Sequence, residues 1–211
     1  MWVCLLSLVM PNRSEGEEIW SNSYGGSEAH DVIEADNGDF VTVGWEHGGF
    51  NTRVVVLRVN PEGETIWRRH YLAGKGNAII ELKSGEFVIA GMSDNEQRNF
   101  RGYLLMIDGD GDVVWEIEYE GEGVGLFSDF RETDEGIIVL GRWSFVGIVK
   151  VDFEGDLIWQ NTISEEGSNL PCNSMVSIPN GGFAFSGTYL NDPVHNHWGH
   201  DFFNGSRRFR G

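Results

Sequence analysis

The sequence predicts an all-β protein that is built from about four repeats of four short antiparallel strands. The first observation is an acidic, Gly-centred turn followed by an apolar strand with a tryptophan, and successive tryptophans stand 47, 48 and 44 residues apart. The second is a glycine that closes the second strand of every repeat. The third is that short β-branched and aromatic runs alternate with Gly, Asn and Asp, while no segment sustains a helical period.

The turn and its tryptophan define the repeat, and they occur as Glu15–Trp20, Asn60–Trp67, Asp108–Trp115 and Asp152–Trp159. We expect the recurring residues to be structural, because a repeat motif serves the stacking of neighbouring repeats before it serves a ligand. These residues are Trp20, Trp67, Trp115 and Trp159, with the second-strand glycines Gly44, Gly91, Gly141 and Gly187. A glycine inside a strand usually marks a bulge or a close backbone approach, which predicts a crowded position near a shared axis.

The predicted strands keep one order in every repeat. They are 29–35, 39–45, 53–59 and 65–71, then 77–82, 87–91, 103–107 and 113–117, then 127–131, 137–141, 145–151 and 157–159, and finally 175–178, 183–187 and 199–203. The repeats therefore span about 25–71, 72–119, 120–163 and, incompletely, 164–203, in one domain over 1–204 with N-terminal strands within 2–24. Residues 205–211 carry three arginines and are expected to be a disordered basic tail.

The first ten residues have two interpretations. Cys4–Val9 occupies the place of the apolar strand that precedes each later turn, which favours a strand. The alternative is a signal peptide, although the segment lacks a basic start and a small-residue cleavage site. It is too short to span a bilayer, and we expect no transmembrane segment.

The charge excludes some partners. A formal net charge of −18 disfavours nucleic acid, because binding to phosphates requires a basic surface. An anionic membrane surface is disfavoured for the same reason.

Repeats of about 45 residues with four strands each are the signature of propeller blades. The pattern resembles the bacterial and archaeal β-propeller repeat family, with the form W…YGG…DGGF…VG…D..G…W. The matching residues of the first repeat include Trp20, Tyr24–Gly26, Asn37–Phe40, Val43–Gly44 and Gly63. The resemblance covers about residues 2–203. It implies one of two architectures. The first is an open arc of a larger propeller, with further blades as partners, and the second is a four-bladed ring closed by the N-terminal strands.

The repeats also look like quinoprotein-type blades, which carry a Gly-x-x-x-Trp docking motif. Gly63 and Trp67, Gly111 and Trp115, and Gly155 and Trp159 reproduce that motif. The usual Ala-x-Asp-x-x-Thr-Gly lead-in is absent, so no cofactor is expected.

Two segments are candidates for metal binding. His195, His197, His200 and Asp201 form a cluster of metal-ligand types, and alternate residues of a strand share a face. Asp108–Asp112 resembles the start of a calcium loop, but Val113 and Tyr119 stand where an EF-hand needs Gly and Glu. An ordinary acidic turn is therefore favoured there, with calcium or another divalent ion as the alternative.

The sequence assigns no catalytic residue, and it favours a non-catalytic binding or scaffold module for a protein or glycan. The resemblance implies a place at the cell surface or outside the cell, with the cytoplasm as the alternative. An enzyme of quinoprotein, lyase or glycosidase type would use acids at the propeller mouth, and a non-functional fragment is a second alternative. The carboxylates that could pair are Glu18, Asp31, Glu34, Asp36, Glu62, Glu81, Glu118 and Asp129.

Overall fold

The computed structural model describes residues 3–10, 17–25, 27–48, 51–94, 100–120, 125–142, 146–163, 172–178 and 182–187. Every regular element in these ranges is a strand, which confirms the all-β class. The strands are β1 (Val3–Met10), β2 (Glu17–Gly25), β3 (Ser27–Glu34), β4 (Phe40–Gly48), β5 (Asn51–Val59), β6 (Thr65–Glu81), β7 (Phe87–Asp94), β8 (Phe100–Ile107), β9 (Val113–Tyr119), β10 (Leu126–Thr133), β11 (Gly136–Arg142), β12 (Val146–Val151), β13 (Leu157–Ile163), β14 (Cys172–Ile178) and β15 (Gly182–Gly187). Over the same ranges, no helix is long and apolar enough to cross a membrane.

The sheets follow the order of the chain. β1 pairs with β2, β3 to β9 form one sheet, β10 to β13 form a four-stranded sheet, and β14 pairs with β15. Within each sheet, every strand is hydrogen-bonded to its neighbour in sequence. Among these strands, β1 and β2 belong to a different sheet from β14 and β15, and the closed four-bladed ring is not detected.

Strand β6 differs from the prediction. The segments 65–71 and 77–82 were expected as separate strands, but they form one strand of 17 residues. The intervening Leu72–Gly76 contains two glycines, which would also suit a turn, but no Pro, Asn or Asp. A Cβ at Gly76 would lie 2.4 Å from Cγ2 of Val43, so glycine lets the continuous strand pass close to β4. Strand β6 therefore ends one repeat and begins the next.

The chain divides into two compact units. The first holds Met1–Ile89, Ser93–Asn99 and Met106–Val114, and the second holds the remaining residues. The core of the first unit is rich in β-branched side chains such as Val41, Val54 and Ile79. In the second unit, Ile138, Leu140, Ile148 and Met175 are buried together, with Phe183 and Phe185 packed against them.

The acidic turns share one construction. In the first, the amide of Gly63 donates to the carbonyl of Asn60, and the Oδ1 atom of Asn60 accepts from the amides of Glu62 and Glu64. Asp108 and Asp152 accept the equivalent pairs of amides in their turns. A short side-chain acceptor at the first position and a glycine with positive φ at the fourth explain the recurring sequence.

Candidate functional site

Each of the first three repeated tryptophans holds the turn of the next repeat. Through its indole Nε1–H, Trp20 donates to the carbonyl of Pro61 at 2.8 Å, Trp67 to that of Gly109 at 3.0 Å, and Trp115 to that of Phe153 at 2.9 Å. The three acceptors occupy the same position, the second residue of the turn. These tryptophans therefore fasten one repeat to the next.

A tyrosine follows each of these tryptophans by four residues and contacts the same turn. The hydroxyl of Tyr24 donates to the carbonyl of Gly63 at 2.7 Å, Tyr71 to Gly111 at 2.8 Å, and Tyr119 to Gly155 at 2.6 Å. We call each such pair, with the turn it holds, a Trp–Tyr clamp. Sequence reasoning missed the tyrosine, although the recurring Trp-x-x-x-Tyr spacing was visible.

Burial raises the pKa of the Tyr71 and Tyr119 hydroxyls above the ordinary value. The carboxylates of the clamped turns act in the same direction, and at Tyr71 the charge of Arg69 opposes them. Both hydroxyls stay protonated and remain hydrogen-bond donors.

Three of the recurring second-strand glycines lie opposite a β-bulge. The register between β3 and β4 shifts by one residue directly after the pair Ala29↔Gly44. The same shift follows the pairs Phe127↔Gly141 and Cys172↔Gly187. A Cβ at Gly44 would lie 1.8 Å from the carbonyl oxygen of Glu28, which no side chain could tolerate. The fourth, Gly91, is buried in β7.

Three of the predicted carboxylates, Asp31, Asp129 and Glu81, accept hydrogen bonds from backbone amides of a neighbouring repeat. Asp31 accepts from the amide of Ile79 at 3.0 Å, Asp129 from that of Met175 at 2.7 Å, and Glu81 from that of Asp36. Each aspartate also accepts from the amide of the residue that follows it. Asp31, Asp129 and Glu81 are thus part of the scaffold.

The other carboxylates are distributed over several roles. Glu118 pairs with Arg101 at 3.2 Å. Glu34, Asp36 and Glu62 are exposed, and the side chain of Glu18 lies outside the described part. Within the described ranges, no group of three or more His, Cys, Asp or Glu side chains could hold a metal ion. The predicted ligands His195, His197, His200 and Asp201 lie outside those ranges.

The opposite end of the first full repeat carries a different set of side chains, which we call the Trp45 cluster. It lies at the end of β4 away from the acidic turns, where β3, β4 and β6 come together. Its members are Glu28, His30, Trp45, Glu46, His47, Arg68, His70, Lys75 and Asn77. It contains all three histidines of the described ranges. Sequence reasoning did not identify it, because its members are spread over 50 residues.

The indole of Trp45 is the centre of one side of this cluster. Its ring is capped by Lys75, whose Nζ lies 3.9 Å from the ring centroid, and His47 meets it edge-on at 4.8 Å. The indole N–H donates to Nε2 of His30 at 3.3 Å, and Nδ1 of His30 lies 3.2 Å from Oδ1 of Asn77. Nε2 of His30 also lies 3.4 Å from Oε1 of Glu28, so this ring contacts Trp45, Asn77 and Glu28.

The carboxylate of Glu46 is the centre of the other side, because successive residues of a strand point to opposite faces. One oxygen lies 2.6 Å from the guanidinium of Arg68, and the other lies 2.5 Å from Nε2 of His70. Arg68 also donates to the carbonyl of Gly25 at 3.0 Å. The Trp45 cluster thus has an aromatic ring with a cation and two imidazoles on one face of the strand, and a carboxylate paired with cations on the other face.

No family model and no curated protein matches this chain. The chain is similar to the crystal structure of a protein of unknown function from Bacteroides caccae, with a TM-score of 0.59 and 14% sequence identity. The similarity covers 93% of this chain and 67% of the other. At this identity the two proteins are shown to share a fold and nothing further.

Proposed function

We propose that this chain is an open arc of β-propeller blades that acts as a non-catalytic binding module. Four-stranded repeats of about 45 residues, with the outer strands that carry Trp20, Trp67 and Trp115 fastened to the next repeat, support this architecture. A place at the cell surface or outside the cell belongs to the same proposal. Fractionation of cells that express the full gene tests it, and recovery only from the cytosol would contradict it.

The observation that carries the binding function is the contrast between the two ends of the repeats. At the turn end, the same residue types recur and their polar atoms bind the neighbouring repeat. At the other end the residues after the second-strand glycine change from Trp45-Glu46-His47 to Met92-Ser93-Asp94. Scaffold positions repeat because each blade must stack, whereas a ligand needs a site in one place only.

The Trp45 cluster supplies the chemistry that such a ligand needs. An aromatic ring with charged and hydrogen-bonding groups beside it can bind a sugar or a peptide side chain. The carboxylates Asp31 and Asp129 are held by backbone amides, which favours a scaffold role over acid–base chemistry at those positions.

Binding can be tested with glycan and peptide arrays probed with the purified protein. We expect capture of one ligand class by the wild type, and loss of capture in the double variant Lys75→Gln, His47→Ala. The variant Lys83→Gln removes the same charge from an exposed turn and should bind like the wild type. Equal capture by all three proteins, or no capture on either array, would contradict the proposal.

An enzyme is the second candidate, and the contact between Glu46 and His70 favours it. A carboxylate beside an imidazole is a common acid–base arrangement. Turnover of chromogenic glycosides that disappears in Glu46→Gln would support this candidate over the binding module.

A further inference from the structure

Strand β13 is an edge strand without a charged residue. Among the described strands it is bonded on one side only, to β12, and it ends the four-stranded sheet. The side chains of Leu157, Ile158 and Trp159 are exposed by 50%, 48% and 42%, and those of Gln160 and Asn161 are exposed too. On the side away from β12, alternate residues direct their amide and carbonyl groups outwards, which offers a template for a further strand.

The corresponding strands of the two preceding repeats carry charges instead. After its tryptophan, β6 has Arg68, Arg69 and His70, and β9 has Glu116 and Glu118. Charged side chains on an edge strand discourage its pairing with another chain. In β13 the residues in the same places are all uncharged, so this protection is missing from one of the three outer strands.

A second copy of β13 is a strand that this edge can accept. When two identical strands pair, their charged residues meet like charges, which is destabilising. Self-pairing would bring arginines together in β6 and glutamates together in β9, whereas β13 contains no charge to repel its own copy. The absence of charge therefore favours a partner of the same sequence.

The acidic turn before β13 determines the direction of such a pair. This turn, Asp152–Asp156, carries three acids, and parallel pairing would set the turns of both copies side by side. Antiparallel pairing places them at opposite ends of the paired strands. For seven residues that separation is roughly 24 Å, which is well beyond the screening length of about 8 Å at physiological salt.

We propose that two copies of this chain associate through antiparallel pairing of their β13 strands, which joins the two sheets across a two-fold axis. The contact is isologous, so it closes at a dimer. Leu157, Ile158 and Trp159 then lie beside the partner strand and lose part of their exposure to water. Because each copy has a formal net charge of −18, the two chains repel one another, and the dimer is weakest at low salt.

Sedimentation velocity over a range of protein concentrations tests the association. We expect the wild type to pass from monomer to dimer and no further, and at lower concentration when salt is added. Gln160→Lys reduces the net charge but brings like charges together near the middle of the pair, so it should raise the Kd about tenfold or more. The control Val114→Lys adds the same charge to an exposed position of β9 and should dimerise at least as well as the wild type.

Opposite charges on the two copies should restore the pair. Gln160→Glu alone should dimerise poorly, and an equimolar mixture of Gln160→Glu with Gln160→Lys should form dimers. A wild type that stays monomeric at every concentration, growth beyond a dimer, a Gln160→Lys protein that dimerises like the wild type, or a mixture without dimers would each overturn the proposal.

Amide hydrogen exchange of the wild type gives a test that needs no variant to fold. When the dimer forms, the amides of alternate β13 residues should become protected, because they then donate across the pair. A dimer in which every β13 amide exchanges as in the monomer would show a different interface and overturn the proposal. Protection that appears only when an extended peptide of another sequence is added would assign the edge to a different partner, with the same consequence.

Discussion

Replacing Gly63 with alanine should be far more destabilising than the same change at Gly85. Both glycines have positive φ, at 81° and 96°, in turns of similar form. An alanine in this left-handed region costs about 1–2 kcal/mol, and that cost is common to both positions. The comparison therefore separates backbone strain from contact with the neighbouring repeat.

The surroundings of the two glycines differ. A Cβ at Gly63 would lie 2.7 Å from Nδ2 of Asn22 and 2.8 Å from Cδ2 of Trp20, whereas a Cβ at Gly85 would meet no atom within 4 Å. Forcing an extra methyl group into a packed contact costs about 1–3 kcal/mol. We thus expect Gly63→Ala to lower the free energy of unfolding by about 2–5 kcal/mol in total.

Urea denaturation followed by circular dichroism measures both effects. The Trp20→Ala, Asn22→Ala background supplies a second comparison, because removal of both side chains makes room for the new methyl group. There, Gly63→Ala should cost no more than Gly85→Ala. Equal destabilisation by the two alanines in the wild-type background would refute the role that we give to the clamp.

Three other changes give sharp expectations. Burial raises the pKa of Tyr71 and Tyr119 only in the folded state. Their contribution to the free energy of unfolding should therefore be fully present below about pH 10 and be lost as the pH rises further. Urea denaturation at a series of pH values should show a smaller loss of stability when both tyrosines are changed to Phe. Asp31→Ala leaves the part-buried amide of Ile79 without its charged acceptor and should cost about 1.5–3 kcal/mol in urea denaturation, against almost nothing for the exposed Glu34→Ala. Asp108→Asn keeps the acceptor for two turn amides and should leave the thermal midpoint of unfolding nearly unchanged, whereas Asp108→Ala should lower it. Because the turn is held by its own hydrogen bonds, a chelator of divalent ions should leave the midpoint of the wild type unchanged.

The sequence allowed the all-β class and the repeating turns to be predicted, because both depend on local residue types. A short acceptor followed by a glycine specifies the turn at Asn60–Gly63 without reference to distant parts of the chain. The merger of two predicted strands into β6 was not predictable in this way. It depends on the close approach of Gly76 to Val43, which belongs to another strand.

The candidate site was less accessible from sequence for a physical reason. Glu28, Trp45 and Lys75 come together only when three strands are aligned in one register. The bonds of Asp31 and Asp129 to a neighbouring repeat are likewise tertiary, and the sequence showed only two acids among many. The Trp-x-x-x-Tyr spacing is the exception, because Tyr71 and Tyr119 stand at a fixed interval from a motif already recognised.

Hydrogen exchange of the indole N–H groups tests most directly whether each clamp holds the next turn. Nitrogen-15 spectra of the dilute protein, with indole signals assigned by substitution, measure every tryptophan separately. The N–H groups of Trp67 and Trp115 should exchange slowly, because they donate to Gly109 and Phe153, and that of Trp159 should exchange rapidly. Exchange at Trp67 and Trp115 as fast as at Trp159 would contradict the account.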